Sequence, residues 1–210
     1  MLDWLRQPLF ELFGAPVSVI EVIGAVTGIV CVWLVARQHV LNWPLGMLNN
    51  LAWLVLFMGS GLYADGVLQA VYLGLACYGW ANWVLGARAL AADRLPVRRT
   101  SSTEWAVLGA LGLLGTVALG VLLSGATDST VPWWDAITTV LSLLATYGQA
   151  RKLVECWWLW IAADVLYIPL YGVKGLWMTA IVYAIFLALC VRGLLAWSAS
   201  LRRQAAVAPA

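Results

Sequence analysis

The sequence is short of charge. Of its 210 residues, only 10% are Asp, Glu, Lys or Arg, against about 25% in a soluble domain. Too little polar surface remains to face water, so a soluble globular class is excluded. Histidine occurs once, as His39, and the four cysteines (Cys31, Cys77, Cys156, Cys190) are dispersed without metal-ligand spacing. The cysteines therefore read as small apolar residues, and neither a disulfide framework nor a metal site is expected. An enzyme would need a nucleophile with a base or clustered ligands, so no catalytic activity and no cofactor are expected. No Gly-x-x-x-x-Gly-Lys-Ser/Thr phosphate loop occurs, so ATP does not drive the protein directly. The net charge of +2 gives no ground for a nucleic-acid partner. The N-terminus lacks a basic n-region and an early cleavage site, and its first apolar run contains Glu21. A removable signal peptide is not expected.

What is present is hydrocarbon-like: 63% hydrophobic residues and a mean hydropathy of +0.89. Membrane lipid is the expected surroundings. Apolar windows predict seven spans over 17–36, 43–59, 63–86, 104–124, 133–150, 156–173 and 175–197. A span needs about 20 helical residues to cross a ~30 Å core. The one real linker, 85–103, carries Arg88, Arg94, Arg98 and Arg99. With the N-terminus outside, those four, Arg37, Arg151, Lys152, Arg202 and Arg203 all fall on the cytoplasmic side, and Arg192 lies near it. Only Arg6 and Lys174 fall outside. The positive-inside rule thus favours N-out, C-in.

A shift of 114 residues lays spans 1–3 on spans 5–7 without a gap. Arg37 meets Arg151, Trp43 meets Trp157, Gly61-Leu62 meets Gly175-Leu176, Gly79 meets Gly193 and Trp83 meets Trp197. Fifteen of the 63 pairs between 21 and 83 are identical. Leucines coincide by chance in apolar helices; matched Trp, Arg and Gly-Leu do so far less easily. With one helix between, the order is three plus one plus three. That is a parallel repeat about an axis along the membrane normal, as in SWEET-type sugar transporters, with the substrate site expected near the midplane between the halves.

The sixth span carries an unusual stripe. Residues i, i+3, i+7, i+10 and i+14 share one helix face. From Trp157 they are Trp160, Asp164, Tyr167 and Tyr171. The matching stripe on the second span is Trp43, Gly46, Asn50, Trp53 and Phe57. A carboxylate at a span's centre costs about 2.5–3.5 kcal/mol on the insertion scale. Asp164 must therefore face a cavity or a partner helix. Trp157 is open between an interfacial anchor, where tryptophan is enriched, and a cavity wall. Aromatic walls with one carboxylate suit a flat polar or cationic ring, although a sugar also stacks on tryptophan.

Trp157-x-x-Trp160-x-x-x-Asp164 resembles the W-x-x-W-x-x-x-N/D signature of the PnuC family of vitamin transporters. ARKLVECWWLWIAADVLYIPLYGVKGLWMTAIVYAIFLAL (150–189) and NWPLGMLNNLAWLVLFMGSGLYADGVLQAVYLGLACYGW (42–80) are similar to its fifth to seventh and its second and third helices. The resemblance covers most of 18–197 and leaves out the termini and the linker. It implies a seven-helix, three-plus-one-plus-three homotrimer in the plasma (inner) membrane. It also implies uptake of nicotinamide riboside, or of thiamine or riboflavin in close relatives, by facilitated diffusion. A cytoplasmic vitamin kinase then traps the product. The motif residues Trp157, Trp160 and Asp164 are the implied substrate contacts. Tyr167 continues their stripe, and Asn49, Asn50, Gln69 and Tyr72 occupy polar positions in apolar helices that would complete the pocket. A SWEET-like sugar transporter shares the architecture but not the stripe.

Four features read more simply. Glu21 and Asp135 suit helix N-termini, where the dipole favours acids; an outer gate is the alternative. Arg37 and Arg151-Lys152 mark inner ends as topology anchors or parts of an inner gate. Pro169 removes a backbone hydrogen bond inside the sixth span. His39 reads as a loop residue.

Overall fold

The computed structural model describes residues 7–59, 63–126, 131–173 and 175–207. Arg6, Gly61, Leu62 and Lys174, used above for orientation and repeat, lie outside the described residues, as does the Phe57 side chain. The described chain is helical apart from an N-terminal hairpin. Strand β1 (Pro8–Leu12) pairs antiparallel with β2 (Ala15–Ser18). The helices are α1 (Val19–Ala36), α2 (Asn42–Gly59), α3 (Tyr63–Ala89), α4 (Ser102–Ala126), α5 (Pro132–Ala150), α6 (Cys156–Val173) and α7 (Trp177–Val207). The hairpin sets the start of the first helix at Val19, two residues after the expected 17. Its turn uses positive φ at Phe13 and Gly14, 50° and 79°. Apolar Val17 leads straight from strand into helix, so periodicity hides the boundary. The Ser18 backbone N–H and hydroxyl both donate to the Glu21 carboxylate, at 2.8 and 2.6 Å. Glu21 is thus the acid of an N-terminal capping box. The last helix runs ten residues beyond the expected 197, to Val207.

Four of these helices, α1, α4, α6 and α7, are long and apolar enough to cross a membrane by length and composition. The other three carry many of the polar groups that point inward: Asn42, Asn49 and Asn50 on α2, Gln69 on α3, and Ser142, Thr146 and Gln149 on α5.

Helix α2 packs on α3 and α6 on α7, while α4 lies on α5; across the molecule α1 meets α7 and α3 meets α5. The core sits at the helix ends beside the α1–α2 and α5–α6 loops and centres on four tryptophans, Trp43, Trp83, Trp157 and Trp197. Trp43 meets Trp83 edge-on, centroids 5.4 Å apart at 89°. Trp157 meets Trp197 in the same way, 5.4 Å apart at 88°. Each first partner lies over a glycine: an added Cβ at Gly79 would run into the Trp43 indole, and one at Gly193 into Trp157. Helix association in lipid is driven by close packing rather than by apolar transfer. Glycine at these two sites lets an indole lie flat against the neighbouring helix.

The α1–α2 and α5–α6 loops fold alike. Gln38 and Lys152 take positive φ, 58° and 55°. His39 N–H donates to Leu34 O and Leu153 N–H to Gly148 O, at 2.9 and 2.8 Å. Trp83 Nε1 donates to Gln149 O on α5 (3.1 Å), and Trp197 Nε1 to Val35 O on α1 (3.2 Å). The linker is tied to the second loop: Arg98 N–H donates to Lys152 O and Arg98 O accepts from Val154 N–H, both at 3.0 Å. The Arg98 guanidinium forks onto the Glu104 carboxylate at 2.7 and 2.6 Å. Lys152 is 1% exposed. Burial, helped by the charge of Arg94, pushes its ammonium down to about 7.

Gly79→Ala and Gly193→Ala are each expected to lower the unfolding temperature in detergent, since overpacking costs about 1–3 kcal/mol. At Gly109 an added Cβ meets open space, so Gly109→Ala should be neutral or stabilise by up to about 1 kcal/mol through helix propensity. A thermal-unfolding series checks this; equal effects at all three positions would show that the indole contacts are not tight.

Candidate functional site

The helices enclose a cavity of about 340 Å³, within the range of small-molecule sites. All helices but α4 contribute to its wall. All eight residues expected from the sequence line it: Trp157, Trp160, Asp164 and Tyr167 from α6, Asn49 and Asn50 from α2, and Gln69 and Tyr72 from α3. Eighteen of its 22 lining residues fall into pairs 114 apart, such as Trp43 with Trp157, Asn50 with Asp164 and Gln69 with Tyr183. The two sides differ in chemistry: where one offers Gly46 and Asn50, the other offers Trp160 and Asp164. The cavity is pseudo-symmetric in position and asymmetric in polarity, as an asymmetric ligand requires.

The α6 stripe forms as its spacing implies. Trp157 is 1% exposed and lines the cavity, so it stands as a cavity wall rather than as a lipid-facing anchor. Asp164 is 2% exposed. The Cys190 thiol lines the same cavity, and Asp164 Oδ2 has no hydrogen-bond partner among the described residues. Three other buried polar atoms of the wall share that condition: Trp43 Nε1, Trp157 Nε1 and Asn42 Oδ1. A buried polar atom left unpaired costs free energy. Four of them around one cavity suit a polar occupant with both donors and acceptors.

Above Asp164 the wall is aromatic. Tyr167 lies 4.7 Å from Tyr183 between centroids and stacks on Tyr171 at 5.5 Å. Tyr183 meets Phe186 edge-on at 5.5 Å. Opposite, the Tyr72 hydroxyl shares a short hydrogen bond with Ser142, and Asn49 Nδ2 donates to Thr27 Oγ1 at 3.1 Å. Aromatic faces for a planar ring and one carboxylate for a positive charge are what this arrangement supplies.

The stripe expected on α2 forms only in part. Trp43, Gly46 and Asn50 reach the cavity. Trp53 instead packs against Gly24 of α1 and lines a separate groove between α1 and α2. Sequence reasoning missed Ser142, Thr146 and Gln149 on α5 and Tyr183, Phe186 and Cys190 on α7. For two of these the signal was at hand: the offset of 114 carries Gln69 and Tyr72 onto Tyr183 and Phe186.

A family model described as nicotinamide mononucleotide transporter matches residues 18–199. The riboflavin/roseoflavin transporter RibM of Streptomyces davaonensis is 31% identical over 97% of this chain and 95% of its own. The nicotinamide riboside transporter PnuC of Escherichia coli is 24% identical over 91% of this chain and 90% of its own. A crystal structure of the vitamin B3 transporter PnuC superposes with a TM-score of 0.69 at 25% identity, covering 88% of this chain and 82% of that one.

A carboxylate with an unpaired buried oxygen is a cost to the ligand-free fold. Asp164→Leu, similar in size and apolar, is expected to raise the unfolding temperature of the ligand-free protein, recovering on the order of 1–3 kcal/mol. A clear fall in thermal stability would show instead that Asp164 holds helices together.

Proposed function

The chain belongs to the nicotinamide mononucleotide transporter family, PnuC and its relatives, and from that premise we propose that it takes up nicotinamide riboside by facilitated diffusion. It is a multi-pass protein of the plasma membrane. Phosphorylation by a cytoplasmic vitamin kinase would trap the substrate inside, and a homotrimer is the proposed assembly; both rest on the family resemblance. For topology we propose seven spans in two parallel three-helix repeats around α4, N-out and C-in. The matched tryptophan pairs, the alike loops and the paired cavity wall support the repeat, and the cytoplasmic excess of Arg and Lys supports the orientation.

The observation that carries the substrate reading is Asp164, enclosed by Trp157, Trp160 and Tyr167 with an oxygen unpaired. Nicotinamide riboside carries a pyridinium cation. Indole and phenol faces and a carboxylate all gain from positive charge where the dielectric is low. The carboxamide and ribose hydroxyls offer donors and acceptors to Trp43, Trp157 and Asn42. Thiamine, with its thiazolium, meets the same electrostatic demand. A second reading, riboflavin, is favoured by the full-length likeness to RibM. Riboflavin is neutral and would leave the carboxylate without a countercharge.

Thermal shift with the three vitamins separates these readings. A ligand present at 100 times its Kd stabilises by about 2.7 kcal/mol. Nicotinamide riboside is expected to shift the unfolding temperature, and riboflavin to do so weakly or not at all. Asp164→Asn keeps the shape and removes the charge. It should fold normally and weaken nicotinamide riboside binding by roughly ten- to a hundred-fold, the loss of a charge-assisted contact worth about 1.5–3 kcal/mol. A shift with riboflavin alone would transfer the function to the second reading.

A further inference from the structure

Two cavities flank the tryptophan core. The central one has Trp43 and Trp157 in its wall. Beyond them is a vestibule of about 390 Å³ lined by Arg37, Gln38, Trp83, Arg88, Arg94 and Lys152, among others. Between the two runs an unbroken chain of indoles. Trp43 touches Trp83, Trp83 touches Trp197 and Trp197 touches Trp157, with centroids 5.4, 6.1 and 5.4 Å apart.

Lys152 closes this floor from the vestibule side. Its Nζ stands 4.0 Å over the Trp83 ring and 5.6 Å from the Trp197 ring, and it donates to Gln38 Oε1 at 2.8 Å. Among the described residues no carboxylate pairs with it. Lys152 and Gln38 stand 114 residues apart, as do Trp83 and Trp197. One side chain from each loop therefore meets the other at the centre, over one indole from each half. The same two indoles tie the halves together by donating to Gln149 O and Val35 O.

We infer that Lys152, clasped by Gln38 over Trp83 and Trp197, is the latch of an inner gate that separates the central cavity from the vestibule. The inference rests on the transport reading of the central cavity. A buried lysine held by two aromatic faces and an amide, without a carboxylate partner among the described residues, is poised rather than fixed, because these contacts offset only part of the cost of burying its charge. Its release frees Trp83 and Trp197 to part, and the two halves with them. A cationic substrate in the central cavity also meets a like charge at the exit until the latch withdraws. That makes Lys152 a positioning residue for transport and distinguishes it from the arginines of the linker.

Cys31 lines the central cavity and reports whether the floor is closed. Inside-out vesicles holding the full-length protein are treated with a membrane-impermeant methanethiosulfonate, and labelling of Cys31 is read by peptide mass spectrometry. Wild-type protein should label slowly. Lys152→Met and Gln38→Ala should each label faster, by about tenfold or more for Lys152→Met, as the closed population falls. Gln38→Ala leaves the lysine in place, so the test survives if Lys152→Met does not fold. The double exchange Gln38→Lys with Lys152→Gln places the same pair over the same two indoles from the opposite loops. It should restore slow labelling, which a lysine serving only as a topology anchor or core filler would not do. Unchanged labelling in both single variants overturns the gate. Fast labelling that the exchange does not slow overturns the latch. Labelling needs no substrate, so a failure of the transport reading shows separately, as the absence of any vitamin-induced thermal shift.

Discussion

Asp164 stands in the middle of a helix whose other faces are Leu, Ile, Ala and Val, and hydrocarbon offers a carboxylate nothing. The protein's answer is enclosure. Helix α6 turns Asp164 inward with Trp157, Trp160 and Tyr167, and five of the other six helices close around it. Enclosure also keeps bulk water away from most of the wall, so the aromatic faces and the carboxylate act at a lower dielectric than in solution. The polarity of α2, α3 and α5 follows from the same need. Their Asn, Gln, Ser and Thr side chains are tolerated because they face the cavity that the carboxylate makes necessary.

The enclosure is held from below by tryptophan. Gly79 and Gly193 let Trp43 and Trp157 lie against neighbouring helices, and Trp83 and Trp197 cross to the opposite half to donate to backbone carbonyls. Those two bonds fall on carbonyls in the last turns of α1 and α5 that also accept from the Gln38 and Lys152 N–H groups, at 2.8 and 3.1 Å. The backbone caps these ends, and the indoles add the cross-link. A structure tied in this way can move as two bodies, each half staying intact while the contacts between them change.

Much of this is legible in the sequence. A 3.6-residue period places the α6 stripe on one face, and the offset of 114 relates the two loops before any coordinate is known. What stays hidden has physical reasons. Thr138 and Thr146 donate to carbonyls one turn back, Trp134 O and Ser142 O, as threonine does on any apolar helix. Nothing in the sequence therefore marks α5 as a cavity wall. Trp53 shares its helical phase with Asn50, yet the packing of α1 rather than the period decides where it goes. The hairpin before α1 turns at Phe-Gly instead of a strong turn pair such as Asn-Gly. Lys152 reads as a topology anchor because only the fold brings Gln38 and two indoles around it.

The central claim is that an aromatic cavity with one carboxylate carries a cationic vitamin down its gradient. The most direct measurement is counterflow in proteoliposomes, preloaded with unlabelled nicotinamide riboside and clamped free of proton and sodium gradients. Labelled nicotinamide riboside should enter transiently and then equilibrate, and Asp164→Asn should slow that entry by roughly tenfold or more at a concentration well below saturation. Counterflow of riboflavin with none of nicotinamide riboside, or uptake that requires an ion gradient, would contradict it.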